Sequence, residues 1–108
     1  MKIEFSTPTL KALCEEERLM VRSLGKAGAK KLKARLADLV AASTLAEIVA
    51  GRPHPLKGDR LGEFALDLRG GYRLILVPID PMPKTKDDAI DWYRVNQIRI
   101  MSIEDYHD

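Results

Sequence analysis

The chain has one cysteine, Cys14, so no disulfide can form within it. Cys14 lies on the apolar stripe of the first expected helix, where a small buried hydrophobe fits better than a nucleophile. Histidines are as scarce: His54 and His107 are the only two. No set of Cys, His, Asp and Glu has the spacing of a structural zinc site, so neither a metal nor a cofactor is expected. Long apolar runs are missing too. Stretches such as "LILV" at 74–77 fall far short of the about 20 residues of a membrane span. The start, "MKIEFS", has no apolar core of a secretory signal. The expectation is a cytoplasmic chain with no membrane partner. There is no Gly-x-Ser-x-Gly elbow, no phosphate-binding P-loop and no Gly-x-Gly-x-x-Gly turn. These absences remove the commonest hydrolase and nucleotide-binding signatures.

What is present fits one domain, residues 1–108, with 45% hydrophobic and 31% charged residues. The net charge of +2 hides an uneven spread. From Arg22 to Arg60 nine Lys or Arg stand against Asp38, Glu47 and Asp59. From Leu61 onward six Lys or Arg face nine Asp or Glu. Such a split suits an anionic partner on one surface; it also suits a merely solvated helix face.

"KIEF" at 2–5 reads as a first strand. Thr7 is a helix cap and Pro8 suits the first turn, where a missing N–H costs nothing. Leu10, Leu13, Cys14, Met20, Val21 and Leu24 then recur at helical spacing. Gly25 is the expected stop. A second helix spans about 27–42, so the two should form a helical hairpin. "STLAEIVAG" predicts a third, short helix, with Thr44 and Glu47 at capping-box spacing. The period then changes to two. "EFALDL" puts Phe64, Leu66 and Leu68 on one strand face, and Gly70-Gly71 is a two-residue hairpin turn. That turn pairs Leu68 with Arg73, Leu66 with Ile75 and Phe64 with Val77. Arg73 would then share the apolar face, either meeting an anion or snorkelling past the sheet edge. Residues 80–91 form an exposed loop, and a last strand covers 93–104. Its centre, "IRIMSI", is apolar on both faces, as in a central strand. Trp92 and Tyr93 at its entry are read as packing residues. Helices segregated from a strand meander give an α+β two-layer fold, with one sheet face covered and the other open.

Two short stretches hold the chemistry: "HPLKGDR" at 54–60 and "EDYH" at 104–107. Histidine exchanges protons near neutral pH. Cleaving RNA through its 2′-hydroxyl needs one proton removed, one delivered, and cations around the phosphate. His54, Lys57, Arg60, Arg73 and His107 would supply these without a metal. Asp105 would orient a histidine or act as base, and Tyr106 would stack on a nucleobase. Taken singly, each residue also has an ordinary surface role.

"AKKLKARLADLVAASTLAEI", "HPLKGDRLGEFALDLRGGYRLIL" and "IRIMSIEDYH" together resemble the HigB toxins of the RelE/ParE superfamily, in order and over nearly the whole chain. The resemblance implies a RelE-like two-layer fold. An N-terminal strand and helical hairpin would pack on one face of a small, mostly antiparallel sheet. It implies the toxin of a type II toxin–antitoxin system, an endoribonuclease cutting translated mRNA on the ribosome. His54, Asp105, Tyr106 and His107 match the catalytic positions; Lys57, Arg60 and Arg73 match phosphate binders. The implied partners are a helix-turn-helix, HigA-like antitoxin, the ribosome and mRNA, and operator DNA through the antitoxin. ParE-like relatives instead inhibit DNA gyrase without nuclease residues, and a toxin reduced to binding its antitoxin is a further alternative.

Overall fold

A computed structural model of the chain describes residues 1–106. The sequence-derived expectation for His107 lies outside the described residues. Strand β1 (Lys2–Phe5) leads to helices α1 (Pro8–Glu15) and α2 (Glu17–Ala41). Then come β2 (His54–Pro55), β3 (Phe64–Asp67), β4 (Tyr72–Pro78) and β5 (Gln97–Asp105), with single 3-10 turns between some of them. The strands form one sheet in the order β1-β5-β4-β3-β2. Three pairings are antiparallel; β1 pairs with β5 in parallel. The result is two helices on a mixed five-stranded sheet.

The helix start is as the sequence predicts: Thr7 Oγ1 accepts from the Leu10 N–H at 3.1 Å, and Pro8 occupies the first turn. Gly25 does interrupt the helical path, with φ 74° and ψ 173°. An additional break falls at Glu16, whose backbone is extended. The predicted first helix is thus two pieces, divided at Glu16, and the second piece ends at the Gly25 break, beyond which α2 continues as the predicted second helix. The third helix shrinks to one 3-10 turn, Leu45–Glu47. Glu47 still reaches back, but to the N–H of Ser43 at 3.0 Å rather than to that of Thr44.

Leu32 and Leu39 of α2 are fully buried against Leu66, Leu74, Leu76, Ile98 and Ile100. Burying one such side chain contributes about 1.5–3 kcal/mol, so this layer is the main source of stability. Cys14 belongs to the same core, and burial pushes its thiol up to about 11, so it stays protonated. β5, between β1 and β4, is an interior strand, flanked on both sides as its apolar composition suggests. It starts at Gln97 rather than residue 93, because Trp92–Arg94 forms a 3-10 turn. Trp92 packs on Phe64 at 5.1 Å between ring centroids, whereas Tyr93 is 78% exposed and is not a packing residue.

One correction matters for function. β3 and β4 pair as Phe64 with Leu76, Ala65 with Ile75, Leu66 with Leu74 and Asp67 with Arg73. The Leu68 N–H donates to the Tyr72 carbonyl at 2.8 Å, leaving Arg69, Gly70 and Gly71 as a three-residue loop. Gly70 and Gly71 both have positive φ, as expected, but the loop is one residue longer than predicted. A slip of one residue exchanges faces across the ladder. Arg73 therefore lies opposite the Phe64–Leu66–Leu68 face, on the side away from the helices. Ala65 and Ile75 on that side form a small buried cluster with Leu56.

Candidate functional site

Alternation along the strands assigns the residues of this second face. On β3 they are Ala65 and Asp67; on β4, Arg73 and Ile75; on β5, Ser102 and Glu104. β2 adds His54, which pairs with Ala65. Four of the residues singled out from sequence meet here: His54, Arg60, Arg73 and Tyr106. Lys57 stands exposed beside them, at the start of the turn Gly58–Arg60. Asp105 holds the alternate register position on β5. It pairs with Tyr72 and follows Ile103 at period two, and both Tyr72 and Ile103 pack toward the helical core.

Glu104, which the sequence reading passed over, is the hub. Arg60 grips it with two hydrogen bonds of 2.6 and 2.7 Å. Ser102 Oγ donates to it at 2.9 Å, and an Arg73 nitrogen lies 4.0 Å away. Glu63 takes the other side of Arg60, at 2.7 and 3.2 Å. The hydrogen bonds from Arg60 hold the Glu104 carboxyl below the ordinary glutamate range, against the effect of its partial burial. In return Glu104, then Glu63, raise the Arg60 guanidinium above its already high value. Paired arginine–carboxylate forks of this kind are short and directional.

A second cluster adjoins it. The Arg73 guanidinium carbon sits 4.9 Å from the centroid of the Tyr106 ring, a cation–π contact. One face of that ring is thus already taken. The Arg73 Nε is buried with no described hydrogen-bond partner. Asp67 is bound by Arg52 at 2.8 Å. Burial pushes the Asp67 carboxyl up, but hydrogen bonds from Arg52 and Tyr106 prevail and hold it below its ordinary range. The Tyr106 phenol moves up, first through burial and then through Asp67, so it stays protonated at neutral pH.

His54 is held by its own loop. Its Nδ1 lies 2.7 Å from the Arg52 carbonyl oxygen. A carbonyl only accepts, so Nδ1 carries a proton and Nε2 is the nitrogen left to exchange one. The loop reaches this shape through left-handed backbone at Gly51 and Arg52, with φ of 89° and 48°. Its anchor is the Asp67 N–H, which donates to the Gly51 carbonyl at 2.6 Å. Among the described residues, no group of three or more His, Cys, Asp or Glu side chains is placed to hold a metal. No helix among them is long and apolar enough to cross a membrane.

Arg52, Asp67 and Glu104 went unnoticed because each is an ordinary charged residue in its own stretch. A signal existed in the alternation of "SIED" and "FALD", where Glu104 and Asp67 fall on the strand face away from the leucines and isoleucines.

Strand order, helical layer and meander define an α+β fold of the RelE-like toxin type. Solved structures with the same fold include YoeB proteins. A YoeB–YefM complex from Staphylococcus aureus superposes with a TM-score of 0.58 at 20% identity, covering 100% of this chain and 98% of that one. A YoeB dimer from the same organism gives 0.57 at 20%, with coverage of 100% and 98%. A YoeB/ParE toxin from Agrobacterium tumefaciens gives 0.59 at 11%, covering 99% and 100%. No family model matches the sequence, and no curated protein does.

Proposed function

We propose that this protein is the toxin of a type II toxin–antitoxin pair and cleaves translated mRNA as a ribosome-dependent endoribonuclease of the HigB kind. The observation that carries the reading is the convergence of His54, Arg60, Arg73 and Tyr106 on the face left open by the helices. Shared fold with YoeB toxins, one in complex with YefM, supports a toxin with an antitoxin partner. The sequence resemblance adds a helix-turn-helix antitoxin that carries the pair to operator DNA.

In the proposed reaction the 2′-oxygen forms a bond to the adjacent phosphorus and the bond to the 5′-oxygen breaks, giving a cyclic phosphate. One proton leaves the 2′-hydroxyl and one arrives on the leaving oxygen. His54 exchanges one of them through Nε2. The second proton group comes from the terminal stretch, Asp105 to His107. Arg73, backed by Tyr106, and Arg60 and Lys57 stabilise the charge on the phosphate. All these roles belong to side chains, so the mechanism calls for no metal.

The test is induction in bacterial cells with primer extension on a translated mRNA. Wild type should give cuts that depend on translation. His54→Ala should lower the cleavage rate by about 10²–10⁴-fold. Unchanged cutting by His54→Ala would remove His54 from the site. One observation favours a second reading: Arg60 and Arg73 already face carboxylates. A non-nuclease toxin, ParE-like and acting on DNA gyrase, would use this face as a salt-bridged scaffold. Growth arrest with intact mRNA and gyrase-dependent DNA breaks would establish that alternative. Soluble folded protein without growth arrest would point to a chain that only binds its antitoxin.

A further inference from the structure

We infer that Glu104 is a specificity-determining residue: its carboxylate occupies the anion position between Arg60 and Arg73 and must be displaced before an RNA phosphate enters. The inference deepens the endoribonuclease reading and rests on it. A carboxylate held in a guanidinium fork mimics two oxygens of a phosphate, and Arg60 holds Glu104 in that way, at 2.6 and 2.7 Å. Arg73 approaches the same carboxylate at 4.0 Å without a close hydrogen bond, and its buried Nε lacks a described partner. Arg73 therefore has hydrogen-bonding capacity that Glu104 leaves unmet.

Charge balance gives the consequence. Arg60 and Arg73 carry two positive charges, and Glu63 and Glu104 two negative ones. With Glu104 seated, the pair offers little net attraction to free RNA. A strand whose phosphate is already positioned pushes the carboxylate aside, and both arginines then engage. The side chain that excludes loose RNA is thus the one that yields to correctly placed RNA. Glu63 differs, since it contacts Arg60 but not Arg73.

The test is binding of a fluorescent, single-stranded 2′-O-methyl RNA, which cannot be cut through its 2′-oxygen. Glu104→Gln should bind about tenfold more tightly than wild type at low salt, and its salt dependence should steepen by about 0.7 per arginine released. Glu104→Asp, which keeps the charge, should bind much closer to wild type. Adding Arg60→Ala to Glu104→Gln should cancel most of the gain. Circular dichroism on each variant establishes that it is folded. If Glu104→Gln folds poorly, Ser102→Ala tests the same point, because it loosens the carboxylate from one side and should tighten binding slightly. Wild-type binding with no gain in folded Glu104→Gln would overturn the inference and leave the nuclease reading standing. No RNA binding by either protein at low salt would overturn both.

Discussion

A glutamate and an aspartate set how the open face responds to acid. Glu104 is held below the ordinary glutamate range first by the hydrogen bonds from Arg60; Asp67 is shifted the same way by Arg52 and Tyr106 despite its partial burial. In the unfolded chain both return to ordinary values near 4. Between the folded and unfolded values the unfolded state binds protons that the folded state does not. Stability therefore rises with pH in that window. The contribution is fully present above the ordinary value and is lost as pH falls through the lowered ones. Urea denaturation at a series of pH values from neutral to about 3 should show this loss. Glu104→Gln should make the fall shallower, leaving the part due to Asp67. An unchanged slope would mean that Glu104 is not shifted in solution.

At the scale of elements, the loop before β2 decides where His54 sits. Gly51 has φ 89°, and a Cβ added there would meet Arg35 Cδ at 3.1 Å and the Asp67 carbonyl oxygen at 3.2 Å. Arg35 is itself buried and tied to Asp38 at 2.6 Å, so α2 props the loop from below. Gly51→Ala is both strained and crowded and should cost about 1–3 kcal/mol in chemical denaturation. It should also weaken cleavage, since the His54 Nδ1 contact runs to the next residue in that loop. Gly58→Ala, with open space around its added Cβ but φ 65°, should cost only the backbone part of this. Equal costs would show that the packing against Arg35 is slack.

The same loops separate what the sequence made legible from what it did not. Period-two patterning located β3 and β4, and helical spacing located the helical layer. The cap at Thr7 and the break at Gly25 follow from local chemistry and stand in the structure. The hairpin register does not follow from local chemistry. Arg69-Gly70-Gly71 and Gly70-Gly71 are both acceptable loops, and the choice depends on how Leu66 and Leu74 bury together against α2. That one residue decided the face of Arg73. His54, Lys57, Arg60, Arg73 and Tyr106 were visible as candidates from chemistry and resemblance. The Glu104 hub was not, because a carboxylate between two arginines exists only once β5 lies beside β4 and the turn after β2 folds over them.

Across the whole molecule the two sheet faces divide the work. Among the described residues the helix-side face holds nearly all of the large buried side chains, while the other face buries a small cluster of Leu56, Ala65 and Ile75 around its charged network. The segregation of basic and acidic residues along the sequence is undone there. Arg60, from the basic stretch, is neutralised by Glu104, from the acidic one. Stability should therefore be separable from activity. Leu32 is fully buried in α2 and touches none of the charged residues of the open face in the network described. Leu32→Ala should cost about 2–5 kcal/mol and lower Tm by many degrees. Well below its new Tm, mRNA cleavage per folded molecule should equal that of wild type. Arg73→Lys should behave in the opposite way. It keeps the charge but loses the planar group stacked on Tyr106, so Tm should change little and cleavage should fall. If Leu32→Ala lost cleavage while folded, or Arg73→Lys kept it in full, the two faces would not be separate, and the catalytic assignment to the open face would fail.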